Sequence, residues 1–185
     1  MKKLLCFIIL LIGCNQNNQL FQQSIEHYHA DGGIYFLYDI QKRKIADKLA
    51  INFDLNQVYT ADLPELELKQ EIKPKQLLQT YIEKIKNDCN LLKILRKNVL
   101  SGALKRANVE GVEVFGLGAT SENYQTGKIV TTFIGHFVTN GKTYVLLVIL
   151  DNPKPLKETY GFRTASWNVA PIARELITSL TKNKY

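Results

Sequence analysis

Apolar positions change their period along this chain, and each change predicts an element. Ile34-Tyr35-Phe36-Leu37-Tyr38-Asp39-Ile40 is β-rich and apolar at successive positions, the pattern of a central strand buried on both faces. Asp31-Gly32-Gly33 before it reads as a turn. Leu77, Leu78, Tyr81, Ile82 and Ile85 recur at helical spacing within Lys75 to Lys86, with Pro74 at the start. Leu91, Leu92, Leu95 and Val99 predict a second helix, broken by Gly102. Asn140-Gly141 separates two apolar runs, Thr131 to Val138 and Tyr144 to Leu150. Both turn residues tolerate positive φ, so this is a hairpin signal, and residues 111–117 are expected beside the first strand. Pro153 and Pro155 end the second strand. Val169, Ala173, Leu176 and Leu180 mark a terminal helix able to cover the sheet. The expected fold is α+β: an antiparallel sheet with flanking helices in one domain, large enough to bury a core.

The N-terminus carries a different pattern. Lys2 and Lys3 precede an apolar run from Leu4 to Ile12, and Gly13-Cys14 follows. Nine apolar residues fall short of the ~20 that span a bilayer, so the run predicts a secretion signal. Leu11-Ile12-Gly13-Cys14 resembles the bacterial lipoprotein lipobox, which implies cleavage before Cys14 and acylation of that cysteine. Residues 1–13 are then the signal peptide and 14–30 a polar, flexible tether, since Asn15 to Gln23 shows no core-forming pattern. Residues 31–185 form the domain. The implied location is the bacterial cell envelope, lipid-anchored and facing the periplasm, with inner and outer membranes both open.

Charge and composition narrow the partners. The formal net charge is +7, and a leader carrying Lys2 and Lys3 would remove two of those charges. Lys42-Arg43-Lys44 and the stretch from Lys93 to Arg106 spread the remainder along the chain. A solvated lysine-rich surface accounts for this; anionic lipid or an acidic polymer is the other reading, and no nucleic-acid motif accompanies the charge. Cys89 cannot form an internal disulfide once Cys6 and Cys14 are set aside, and its place in an amphipathic run predicts burial. His27, His29 and His136 are not spaced as the three or four ligands zinc requires. No metal and no cofactor is expected.

Four further segments carry a specific resemblance. Val112 to Glu122 reads V-E-V-F-G-L-G-A-T-S-E. Thr131 to Val138 reads T-T-F-I-G-H-F-V, and Tyr144 to Lys154 reads Y-V-L-L-V-I-L-D-N-P-K. Glu158 to Phe162, then Trp167 and Ala170-Pro171, close the series. In this order they resemble the end of the transpeptidase domain of class B penicillin-binding proteins, the cell-division peptidoglycan synthases. Upstream, Asp62-Leu63-Pro64-Glu65 and Ile72 to Leu77 resemble an L-P-E segment and an I-x-P-x-Q-L helix start of the same family. The implied fold is the penicillin-binding transpeptidase, or serine β-lactamase-like, fold in shortened form, because only residues 41–52 separate Ile40 from Phe53.

The departures decide the expected function. The family's G-G-K-T-G-T-A/S-E segment keeps Gly116, Thr120 and Ser121 here, but Leu117, Gly118 and Ala119 replace the K-T-G triplet that helps bind substrate. Leucine at 117 is expected to present apolar surface to a polar groove, while Gly118 permits main-chain contact with a peptide added as a strand. The family's nucleophile lies in S-x-x-K, where lysine helps activate serine. Ser179 to Lys182 is the match here, and it falls after the triplet; so does Ser121-Glu122-Asn123, the formal match to S-x-N. No catalytic residue is assigned. The expectation is a non-catalytic, membrane-anchored relative of a penicillin-binding protein, acting near peptidoglycan peptides or division proteins. Residual transpeptidase or penicillin-binding activity, and a decaying gene product, are the alternatives.

Overall fold

The computed structural model describes residues 16–123 and 126–182. The lipobox-like segment, with Cys14, lies outside the described residues. Helix α1 covers residues 16–27. It is followed by β1 (Gly32–Asp39), β2 (Lys44–Ile51) and a hairpin of β3 (Tyr59–Leu63) and β4 (Leu68–Ile72). Helices α2 (Pro74–Asn87) and α3 (Cys89–Leu100) come next. Strands β5 (Glu113–Asn123), β6 (Lys128–Thr139) and β7 (Lys142–Asp151) and helix α4 (Val169–Lys182) complete the chain.

The five-stranded sheet has the order β2-β1-β7-β6-β5, and its pairs are antiparallel. β1 lies between two neighbours, as its two-faced apolar pattern predicts. Side chains alternate across a strand, so the sheet supplies two cores. Tyr35, Leu37, Phe133, Leu146 and Val148 face one side, where α1 and α4 pack. Ile34, Phe36, Ile134, Leu147 and Ile149 face the other, covered by α2, α3 and the β3–β4 hairpin. The Asn140-Gly141 hairpin has both residues at positive φ, 50° and 69°. α4 meets the sheet through buried Val169, Ala173 and Leu176, with Leu180 packed at the margin.

Three expectations are corrected here. The tether expected over residues 14–30 is helical from residue 16. Asn17, Phe21, Ser24, Ile25 and Tyr28 form a buried stripe at helical spacing. Phe21 meets the Tyr35 ring edge-on at 5.2 Å. Tyr35 Oη donates to Asn18 Oδ1 at 2.7 Å, and Asn17 Nδ2 donates to Asp47 Oδ2 at 3.3 Å. Amides at these positions tie the helix to β1 and β2, so a polar sequence docks. Second, Gly32 and Gly33 belong to β1. A Cβ on Gly33 would stand 2.6 Å from the Ile149 carbonyl and 2.8 Å from Ile25 Cδ1, so its bareness lets α1 and β7 close on the strand. Third, Cys89 is exposed. It sits in the first turn of α3, just after the Asp88 cap that accepts from Asn90 N and Leu91 N at 2.9 Å; the helix turns Leu91 and Leu95 inward instead.

Candidate functional site

Strand β5 carries the segment that replaces K-T-G. It pairs with β6 in the register Gly116↔Gly135, Leu117↔Ile134, Thr120↔Thr131 and Ser121↔Val130. It is the last strand of the sheet, which is where an added strand would pair. Arg96 Nη1 donates to the Val114 carbonyl at 2.8 Å. Backbone groups alternate sides along a strand, so those of Val114, Gly116, Gly118, Thr120 and Glu122 turn away from β6. α3 and β3 both pack along β5; Gly116 is buried, whereas Gly118, Thr120 and Glu122 are exposed.

The side chains of the triplet fill this region instead of opening it. Leu117 is 1% exposed and packs in the core under α2 and α3 with Ile134 and Leu95. The groove expected to meet Leu117 is absent: two helices and the β3–β4 hairpin close over it. Ala119 joins the same core. Both glycines of the segment are spoken for on the opposite face. A Cβ on Gly116 would reach the Phe133 ring at 2.7 Å, and one on Gly118 would reach Leu104 Cδ2 at 2.8 Å and the Ala165 methyl at 2.9 Å. Thr120 Oγ1 accepts from Ala165 N at 3.0 Å, pinning the loop before α4 to the strand.

Next to this sealed segment lies a cavity of about 680 Å³, bordered by Tyr59, Thr60, Glu71, Ser121, Glu122 and Lys128. Ser121 is half-buried at its edge. Lys128 is the cation on its wall, and its Nζ lies 3.0 Å from Asp31 Oδ2. Asp31 also receives Asn152 Nδ2 at 2.9 Å and Lys154 Nζ at 3.2 Å. The Asn152 bond, then that from Lys128, holds the Asp31 carboxyl down at about 2. The same contact raises the Lys128 ammonium above its usual range, so this lysine keeps its proton. Burial raises the neighbouring Asp151 carboxyl.

Other sequence candidates are scattered. Ser179 is buried in α4, and Lys182 follows at its exposed end, on the face of the sheet away from Leu117. Ser24 Oγ donates to Leu20 O at 2.9 Å, and Ser166 pairs with Thr164 at 3.3 Å. His27 faces Glu158 at 3.5 Å, far along the chain from His136. His136 Nδ1 shares a 2.9 Å hydrogen bond with Tyr81 Oη, and its ring stacks on Phe115 at 4.4 Å. Burial lowers His136 to about 4 and raises the Tyr81 phenol well above its usual range. Sequence reasoning did not find this pair, nor Arg106 seated 3.4 Å over the Trp167 ring; a histidine in a strand and a lone tryptophan were the available signals. Among the described residues, no three histidines, cysteines or carboxylates gather as a metal site, and no helix is long and apolar enough to cross a membrane.

No family model matches the chain. A probable peptidoglycan D,D-transpeptidase FtsI from Caulobacter vibrioides is 34% identical over 101 residues, covering 47% of this chain and 17% of that protein. A peptidoglycan D,D-transpeptidase FtsI homolog from Chlorokybus atmophyticus is 34% identical over 97 residues, covering 49% of this chain and 13% of its own. This chain therefore spans under a fifth of either relative. Among solved structures, the transpeptidase domain of FtsI4 from Legionella pneumophila superposes with a TM-score of 0.72 at 15% identity, covering 88% of this chain and 94% of that one. The transpeptidase domain of Burkholderia pseudomallei penicillin-binding protein 3 gives 0.67 at 11% identity, covering 94% and 93%. About half of the chain is similar in sequence to FtsI-type transpeptidases, and the fold has the α+β architecture of the transpeptidase domains, an antiparallel sheet between helical layers.

Proposed function

We propose that this protein is a shortened, non-catalytic relative of the FtsI-type transpeptidases, anchored in the cell envelope through an acylated Cys14, and that it binds peptide of peptidoglycan or of the division machinery. The burial of Leu117 carries the reading. Acyl transfer needs a serine whose proton can leave, a base to take it and donors for the oxyanion. Here Leu117 and Ala119, at the first and last positions of the triplet, are core, and the lysine bordering Ser121's cavity is held protonated by Asp31. Gly118, Thr120 and Glu122 are exposed on this last strand of the sheet, and an extended peptide adds to such a strand through main-chain hydrogen bonds.

Fluorescent penicillin, followed by a denaturing gel and intact mass spectrometry, is expected to give no covalent adduct. A stoichiometric adduct on any serine would replace this reading with residual transpeptidase activity. For the anchor, metabolic palmitate labelling is expected to mark the wild type and not Cys14→Ser. An unlabelled wild type in the soluble periplasmic fraction would refute it.

A further inference from the structure

The face formed by α1 and α4 carries a basic groove that the transpeptidase-like segment does not use. It has a volume of about 660 Å³ and runs between Gln16 and Leu20 of α1, Arg106 in the segment before β5, and Arg174 and Lys182 of α4. Glu175 is the acidic side chain on its wall. Among the described residues, Arg106, Arg174 and Lys182 have no ion-pair partner. Arg174 and Lys182 are exposed, and Arg106 is half-buried against Trp167. Three cations around one concavity, with one carboxylate beside them, suit a surface of phosphodiester groups.

The chain leading into the groove names the occupant. Gln16 stands two residues after Cys14. At about 3.5 Å per residue, an acyl anchor on Cys14 reaches no further than about 7 Å from the start of α1. Gln16 itself borders the groove, so an anchored Cys14 brings the groove's cations toward the lipid headgroups, whose field is screened over about 8 Å at physiological ionic strength. A tether of 17 residues would have let the domain swing free; the helix removes that slack. Tethering at this range also sets a high effective concentration, so a modest attraction holds the domain down. Each Lys or Arg at an anionic surface shifts the equilibrium about fivefold, from about 1 kcal/mol.

We infer that the α1–α4 groove is a membrane-facing surface that docks the domain on anionic phospholipid headgroups, with Arg106, Arg174 and Lys182 as the contacts. The inference rests on the anchored reading above for its choice of occupant. The chain has one tryptophan, Trp167, and Arg106 of the groove stacks on it, so its fluorescence reports docking.

The full chain, as processed by a bacterial host and purified from membranes in detergent, would be added to vesicles of phosphatidylcholine alone or with phosphatidylglycerol, each carrying a headgroup spin label. Trp167 quenching is expected with phosphatidylglycerol, little without it, and loss in 1 M salt. Arg174→Gln with Lys182→Gln should lower the docked-to-undocked ratio about 30-fold, two steps of about fivefold; Arg174→Glu with Lys182→Glu should lower it further. Lys69→Gln with Lys86→Gln, on the opposite layer, should leave it unchanged, and circular dichroism would check that each variant folds. Quenching that ignores lipid charge and salt, or that survives both α4 double variants, would overturn the inference, as would flotation of the protein with vesicles and no quenching. Intact mass of the same preparation reports acylation separately. An unacylated protein that still docks by charge would remove the anchor and keep the surface.

Discussion

Placing a lysine at position 117 tests whether this place is core or groove. Leu117 is 1% exposed, paired with Ile134 across β5–β6 and covered by α2 and α3. Removing the leucine forfeits about 1.5–3 kcal/mol of burial, and the incoming amine enters an apolar cluster that includes Leu95 and Ile134. A buried lysine gives up its proton; a fall from about 10.4 to about 7.5 alone corresponds to about 4 kcal/mol. Against a typical total of about 5–15 kcal/mol, Leu117→Lys is expected to be close to unfolding. Its urea midpoint should drop by about 2–7 M for slopes of about 1–3 kcal/mol/M, whereas Leu117→Met should stay within about 1.5 kcal/mol of wild type. The sign with pH is distinctive. A lysine whose folded pKa is lowered binds fewer protons folded than unfolded, so stability rises with pH up to about 10.4. The deficit should therefore shrink between pH 7 and 10. A Leu117→Lys protein with the wild-type midpoint at both pH values would refute the sealed site and restore a solvated groove at this position.

Two acid windows are expected in urea titrations of the wild type. His136 is lowered from 6.5 to about 4 by burial, so the unfolded chain takes up a proton first; stability should fall by about 3 kcal/mol as pH drops from 6.5 through 4, and His136→Phe should remove that segment. Asp31 is held at about 2, chiefly by Asn152 and Lys128, so its contribution is present above about 3.9 and lost as pH falls through 2. With that side chain 37% exposed, the second step should be about 1 kcal/mol, and Asp31→Asn should abolish it. Phe21 is fully buried, so Phe21→Ala should cost about 3–5 kcal/mol; an unchanged midpoint would return residues 16–27 to a tether.

Long, strongly patterned elements were legible: β1 from its unbroken apolar run, α2 through α4 from helical spacing, and the hairpin from Asn140-Gly141. Short or polar elements were not. α1 hides its stripe among asparagines and glutamines whose amides do part of the docking, and β2 alternates only between half-buried and exposed positions. Pairing at β3–β4 spans five residues on each side, too few for a period to stand out. Leu117 shows where resemblance and pattern pull apart. Comparison with the family's lysine pointed to a groove, yet Phe115, Leu117 and Ala119 alternate with glycines, which is the signature of one apolar face turned inward. The Arg106–Trp167 stack and the Tyr81–His136 bond join distant stretches, and no local pattern announces them.

The order of strands sets when this chain can finish folding. β1 lies between β2, made soon after it, and β7, and Gln41 Oε1 accepts from Thr143 N across 102 positions. Asp31 holds Lys154 across 123. The N-terminal half can therefore form a β1–β2 hairpin and little more of the sheet, while α1 waits for the β7 surface it shares with β1. Such long-range pairing slows the search for the native state. A ribosome-bound chain ending before β7 stays open, with β1 presenting an unpaired apolar edge. The last strand is the latch, and cutting the chain after β6 should split the five-stranded sheet into two disconnected hairpins, β1–β2 and β5–β6.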